Sequence, residues 1–400
     1  MTKLIDITGK ALSGEWGNED ESGNGIPVLR TTNFTNEGVV NFDNVITRVI
    51  TKKNIQEKFL KNGDIILEKS GGSDKQPVGR VVYFEGPNDT YLFNNFTGLL
   101  RVKDQTKWLP KFVFYSLYSN YRKGGTIPFE NKTTGLHNLK TDDYVARYEV
   151  LDLPYLEQQI IVETLDKTKA IIDACNQELQ TLDELIKARF VEMFGNPFAS
   201  PKWNIEKMKD CTITISDGST INKDYYQENG DVLFLRIQNV WFNEFRLDDS
   251  VYISNETNEM YGETSLRHGD LLITKIGRYY TQDSSLGRVS LYLGEDNKAN
   301  YSNNIMRIRF SNKLVSEYVN VLLNLDDYNK YIRSVSKGGT DKRALSKTII
   351  GEFPIIVPPI ELQNEFAEFV KEVDKSKVVV QKALDEAQTL FDSLMQQYFG

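Results

Sequence analysis

Two stretches of this 400-residue chain keep a hydrophobic rhythm that nothing around them shares. From Gln158 onward, steps of three and four residues pick out Ile161, Leu165, Thr168, Ile172, Cys175, Leu179, Leu182, Ile186, Arg189 and Met193. The same steps near the end of the chain pick out Phe366, Val370, Val373, Lys377, Val380, Leu384, Ala387, Phe391, Leu394 and Tyr398. The two registers superimpose without slippage at an offset of 205, Ile161 falling on Phe366. Apolar residues about every 3.5 positions draw a stripe along an α-helix, and such a stripe must be buried against another helix. Each stretch therefore predicts a helix of about 36 residues, roughly 54 Å long.

Elsewhere the rhythm is shorter. Residues 1–154 and 196–359 contain brief apolar runs such as DIIL, RVVYF, DLLIT and RVSLYL, separated by clusters of Gly, Asn, Asp and Ser, which predict strands and turns. KFVFYSLYSNYRK (111–123) and SEYVNVLLNLDDYNKYIRS (316–334) predict one helix each, and each leads into KGGT, at 123–126 and 337–340. That repetition is one of several. VLRTTN (28–33) lines up with FLRIQN (234–239), KNGDIIL (61–67) with RHGDLLI (267–273), and VGRV (78–81) with LGRV (286–289). NNFTGLLRV (94–102) answers NNIMRI (303–308), and LPYLEQQ (153–159) answers PPIELQNE (358–365). With offsets between 204 and 214, the chain reads as one unit written twice. The expected fold is α+β: two pseudo-symmetric α/β domains, 1–154 and 196–359, and two long helices, 155–195 and 360–400, forming an antiparallel coiled coil. NPFASPKW, with two prolines, is the expected turn out of the first helix.

Charge alters this picture only locally. The formal net charge is −8, and each long helix carries eight acids against four bases, so the two helices account for all of it. The remainder is neutral on balance and leaves room for a basic face. No apolar run approaches the roughly 18 residues of a membrane span, and the N-terminus lacks a signal-peptide pattern, so a cytoplasmic protein is expected. Two cysteines (Cys175, Cys211) and two histidines (His137, His268) argue against a disulfide framework or a zinc site. There is no GxxxxGK[ST] and no GxGxxG. FGNPF (194–198) follows a helix rather than a strand, Asp64 with Glu68 and Lys69 lacks nuclease spacing, and the SxxK at Ser334–Lys337 has no partner motif. No catalytic residue is expected.

Leu-Arg-x-x-Asn, Gly-Asp-Ile/Leu-Ile/Leu, Gly-Arg-Val, Gly-Gly-Thr, and a proline with a glutamine opening each long helix occur twice in one order. Over its whole length the chain thereby resembles the specificity subunit of a type I restriction-modification system. The resemblance implies two target recognition domains, each reading half of a split site on double-stranded DNA. It implies helices that set the spacing and dock two methyltransferase subunits, with motor-nuclease subunits in the full complex. S-adenosylmethionine, ATP and Mg2+ would serve those partners, and this chain would hold no cofactor, no metal and no membrane contact. Alternatives are a related methyltransferase-only or Type II-like system, or a duplicated scaffold that does not bind DNA.

In that frame, Lys123, Thr126, Lys337 and Thr340 of the KGGT pair are candidate phosphate contacts, the paired glycines letting backbone amides come close. A helix cap with a tight turn is the plain alternative. The segments where the halves disagree, 68–80 and 274–288, supply Lys69, Ser70, Lys75, Lys275, Arg278, Tyr279 and Tyr280 as candidates near bases, joined by Lys342 and Arg343, with a solvated loop as the alternative for each. Arg30, Asn33, Arg236 and Asn239 are candidate base-edge readers, but their recurrence in both halves points instead to a scaffold or phosphate role, as it does for Arg80 and Arg288. The expected spacer core is Ile161, Leu165, Ile172, Leu179, Leu182, Ile186, Phe366, Val370, Val380, Leu384, Phe391 and Leu394.

Overall fold

The computed structural model describes residues 1–133, 136–199, 202–281 and 283–400. Ser200 and Pro201 of the expected turn lie outside them. The chain divides into two compact units, Met1–Cys175 with Ala383–Gly400, and Asn176–Lys382.

In the first unit the strands that position the site are β1 (Leu12–Ser13), β2 (Ile65–Glu68), β3 (Ser70–Gly72), β4 (Val81–Tyr83), β5 (Thr97–Leu100), β6 (Glu130–Thr133) and β7 (Leu136–Leu139). Helix α1 (Pro110–Arg122) lies between β5 and β6, and α2 (Tyr155–Phe194) follows β7. A central antiparallel sheet runs in the order β1-β5-β2-β4, and a smaller one in the order β6-β7-β3. The second unit repeats the plan with β8 (Thr212–Asp217), β9 (Leu271–Thr274), β10 (Ile276–Arg278), β11 (Val289–Leu291), β12 (Ile305–Phe310), β13 (Lys337–Gly338) and β14 (Lys342–Ala344). Its central sheet is β8-β12-β9-β11 and its smaller sheet β10-β14-β13. Helices α3 (Ser316–Leu323) and α4 (Asp326–Val335) precede β13, and α5 (Ile360–Phe399) follows.

The Gly-Asp runs become β2 and β9 because both faces of a central strand can be buried, so alternate residues enter different cores. Ile65 and Leu67 pack with α1 residues, while Ile66 joins Leu29, Phe84 and Phe93 on the other face. Leu271 and Ile273 do the same against α3, with Leu272 facing Leu235 and Tyr301. The aspartate before each strand is buried and paired: Arg101 grips Asp64 at 2.7 and 2.6 Å, and Arg309 grips Asp270 at 2.7 Å twice.

Each unit contains a piece of both long helices. In the first, Ile161, Val162 and Leu165 of α2 share a core with Phe391 and Met395 of α5. In the second, Ile186, Phe190 and Phe194 share a core with Phe366, Val370 and Val373. Phe190 stacks on Tyr318 at 5.3 Å and meets Phe366 edge-on at 5.5 Å, and each buried ring contributes about 1.5–3 kcal/mol of transfer free energy. A glutamine starts each helix as a clamp. Gln158 accepts from Leu109 N at 2.9 Å and donates to the Lys107 and Leu153 carbonyls at 3.0 and 2.9 Å. Gln363 repeats this with Val315 N, Lys313 O and Pro358 O at 2.9, 3.0 and 2.9 Å.

Some expectations shift. Each long helix spans 40 residues, roughly 60 Å. The stripe of α2 turns near its end: Phe190 and Phe194 are buried, while Arg189 and Met193 are only half-buried. Among the other expected core positions, Ile172, Leu179, Leu182, Leu384 and Leu394 are half-buried and the remainder buried. Lys377, a charged break in the stripe, ion-pairs with Asp183. The single helix expected over 316–334 is two, because Asn324 caps α3 by donating back to Asn320 O at 2.9 Å and across to Val289 O at 3.2 Å. Among the described residues no helix is long and apolar enough to cross a membrane, and no cluster of three or more metal-ligating side chains occurs.

Candidate nucleic-acid interface

The most faithfully repeated residues face inward. Asn33 and Asn239 are 2% and 1% exposed. Their side-chain oxygens accept from Arg30 N and Arg236 N at 3.0 and 2.9 Å. Their amide nitrogens donate to Asn41 and Asp43 carbonyls in one unit, and to Arg246 and Asp249 carbonyls in the other. Both amide protons and the oxygen are engaged in tying down a loop, and at this burial neither asparagine is available to a base edge. The Arg30 guanidinium donates to Asn44 O at 3.3 Å, and that of Arg236 reaches the backbone and carboxylate of Asp249.

Gly-Arg-Val is equally structural. Arg80 holds Glu68 through two bonds of 3.1 and 2.8 Å and donates to the Thr31 and Phe34 carbonyls. The second unit has Thr274 in place of Glu68. There Arg288, 4% exposed, donates instead to Ser284 O and Asp283 O at 3.0 and 2.6 Å. It also stacks at 3.5 Å on Trp241, which carries Arg246 at 3.5 Å as well. Burial, then the Arg246 charge, pulls the Arg288 pKa below the usual arginine value.

KGGT is not one motif used twice. In the first unit its backbone closes α1: Lys123 N, Gly124 N and Gly125 N donate to Ser119, Tyr121 and Asn120 carbonyls at 3.1, 2.9 and 2.8 Å. Lys123 Nζ donates to Phe399 O at 3.0 Å, and Thr126 has no exposed surface. Neither the amides nor the hydroxyl can meet a phosphate there. The helix-cap alternative describes this copy. In the second unit Lys337 and Gly338 form β13, and exposed Gly339 and Thr340 turn the chain into β14.

The true correspondence comes from packing. Gly79 (φ +111°) and Gly287 (φ +74°) adopt backbone that favours glycine. A Cβ on the first would lie 2.6 Å from Thr126 Cγ2, and on the second 2.5 Å from Ile332 Cγ2, so Thr126 matches Ile332. Leu139 N donates to Lys69 O and Leu345 N to Lys275 O, both at 2.8 Å, giving the same offset of 206. Asn131 pairs with Asn138 in one sheet and Lys337 with Ala344 in the other. The counterpart of Lys337 is therefore Asn131, which sequence reading missed because the KGGT identity, at offset 214, drew the alignment away.

The two smaller sheets gather most of the remaining candidates. On β10-β14-β13, Arg278 lies directly opposite Lys342, and Ala344 is flanked by Ile276 and Lys337, so alternation puts these five on one face. Arg278, Lys337 and Lys342 are exposed, as is Tyr280 in the loop after β10. On the other face the Arg343 guanidinium stacks on Tyr279 at 3.7 Å. On β6-β7-β3 the matching exposed-side positions are Ser70, Asn131 and Asn138. Lys132 pairs with Asp74 at 2.9 Å, and the His137 ring lies 3.2 Å from the Glu130 carboxylate. Lys75 is exposed in the loop after β3. Lys69 and Lys275 sit at matching places in the link between sheets, bonded to Ser13 Oγ at 2.9 Å and to Asp217. Burial lowers the Lys69 pKa from the usual lysine value.

Comparison with known proteins agrees with the duplicated plan. A family model described as type I restriction modification DNA specificity domain matches residues 3–184 and again 202–387. The type I restriction enzyme StySPI specificity subunit of Salmonella potsdam is 21% identical over 398 residues, covering 93% of this chain and 80% of that protein. The EcoKI specificity subunit of Escherichia coli (strain K12) is 21% identical over 394 residues with the same coverages. The crystal structure of the type I restriction-modification S subunit from M. genitalium superimposes with a TM-score of 0.58 at 15% identity, covering 100% of this chain and 95% of that one. With one domain matched in each half and a shared fold from end to end, this chain belongs to the specificity subunits of type I restriction-modification systems.

Proposed function

We propose that each unit reads one half of a bipartite duplex target, with the sheets β6-β7-β3 and β10-β14-β13 as the reading elements. The observation that carries this is that equivalent sheets, on an equivalent scaffold, present different exposed side chains. Framework residues such as Asn33/Asn239 and Gln158/Gln363 repeat, whereas Asn131/Lys337 and Ser70/Ile276 do not. That division between constant support and variable surface suits two half-sites of different sequence. In this reading Ser70 and Asn131 of the first unit, and Arg278, Tyr280, Lys337, Thr340, Lys342 and Arg343 of the second, are the candidates for DNA contact.

In the same reading, residues 155–195 and 360–400 pair antiparallel as a coiled coil. The sharing of α2's start with α5's end in one unit, and of α2's end with α5's start in the other, supports it. A stiff spacer holds two heads at a set separation, which a flexible linker would blur. The helices would dock two methyltransferase subunits, with motor-nuclease subunits completing the assembly. Methyl transfer from S-adenosylmethionine and ATP- and Mg2+-driven cutting belong to those partners, and this chain directs them.

The test is to coexpress the chain with its methyltransferase and sequence the methylated DNA. Replacing residues 336–347 by an unrelated hairpin of equal length is expected to change one half-site and leave the other and the gap intact. A change in both half-sites, or in neither, overturns the modular reading.

A further inference from the structure

We infer that the two units hold DNA by different chemistry: the β10-β14-β13 face is the electrostatic anchor, and the β6-β7-β3 face contacts DNA through neutral polar groups. This rests on the DNA-reading role proposed above.

Arg278 and Lys342 face each other across neighbouring strands, with Lys337 on the same face. Like charges directly opposite in a sheet destabilise it. Asp341 is the acid in reach, 3.7 Å from Arg278 Nε, and among the described residues Lys337 and Lys342 make no ion pair or side-chain hydrogen bond. The fold gains nothing from this arrangement, whereas a polyanion laid across the face would neutralise it. Segments 276–281 and 336–345 hold four cations against one acid. The equivalent segments of the first unit, 70–75 and 130–139, hold two of each. One acid there cancels a cation, Asp74 lying 2.9 Å from Lys132, which leaves Lys75 against the four cations of the other unit. Asn131, at the position of Lys337, offers an amide without charge.

Counterion release makes the asymmetry measurable, because each phosphate neutralised contributes about 0.9 to the slope of log affinity against log salt. The experiment uses this chain assembled with its methyltransferase subunit and a duplex carrying its mapped target, with binding measured between about 50 and 200 mM salt. The variants are a triple Arg278→Ala, Lys337→Ala, Lys342→Ala and, for the first unit, a double Lys75→Ala, Lys132→Ala. All five residues are exposed, and thermal unfolding confirms that each variant is folded. The triple variant is expected to lose up to about 2.7 of slope, which is about 40-fold less salt sensitivity over that range. The double variant is expected to keep nearly the full slope, while Asn131→Ala weakens binding by a similar factor at every salt concentration. Parallel slopes for the wild type and the triple variant overturn the inference, as does an equal loss from the double variant. A wild-type complex that does not select its duplex overturns the DNA-reading role itself, and this inference with it.

Discussion

Single residues divide by what surrounds them. Thr126 was a candidate because of the letters around it, yet its hydroxyl is buried, without a partner among the described residues, in a position that the second unit fills with Ile332. Thr126→Val is therefore expected to leave DNA binding unchanged and to keep or raise stability by about 1 kcal/mol, since it removes a polar group from an apolar site. A tenfold loss of affinity in a folded Thr126→Val complex would restore the phosphate role. Gln158 is the opposite case. Gln158→Leu strips partners from Leu109 N and from the Lys107 and Leu153 carbonyls at a fully buried point. A destabilisation of at least about 2 kcal/mol is expected in urea unfolding, and a loss below about 0.5 kcal/mol would show that water replaces the clamp. The glutamine's presence could be read from the sequence, because it recurs before both stripes. Its task could not, because the three groups it serves lie about fifty residues away or across a loop.

At the scale of elements, legibility followed the length of the period. The long helices were visible because ten stripe positions repeat the same message, and an error at Arg189 or Met193 does not erase it. The smaller sheets were not visible. Their strands are two to four residues long, too short for alternation to register, and their pairing is fixed by single backbone bonds such as Leu345 N to Lys275 O. The central strands fall between: the Gly-Asp runs announced β2 and β9, but not that their aspartates would be gripped by Arg101 and Arg309. That grip predicts a large effect. Arg309→Met leaves Asp270, 1% exposed, charged without its partner, and is expected to cost about 3–5 kcal/mol. Urea unfolding of the single variant, and of Arg309→Met with Asp270→Asn, checks it. The double variant should recover much of the loss, and if it recovers none the cost lies in packing rather than in the stranded charge.

For the whole molecule the duplication is the fact from which the rest follows, and it leads to a ruler. If α2 and α5 run antiparallel as a coiled coil, lengthening both at one level moves the heads apart without altering either. Asp183 and Lys377 mark such a level, since they ion-pair between the helices. Four residues inserted after Asp183 and four after Lys377 lengthen the spacer by about 6 Å, close to two base pairs at about 3.4 Å each. Four residues overshoot the stripe's period by about half a residue, so a second variant with seven at each place keeps the register and adds about 10.5 Å, or three base pairs. Sequencing of methylated DNA should then show the same two half-sites with gaps wider by about two and three base pairs. The seven-residue variant guards against loss of activity from a twisted seam. A gap that stays the same in both variants would mean that the partner subunits, and not these helices, set the distance.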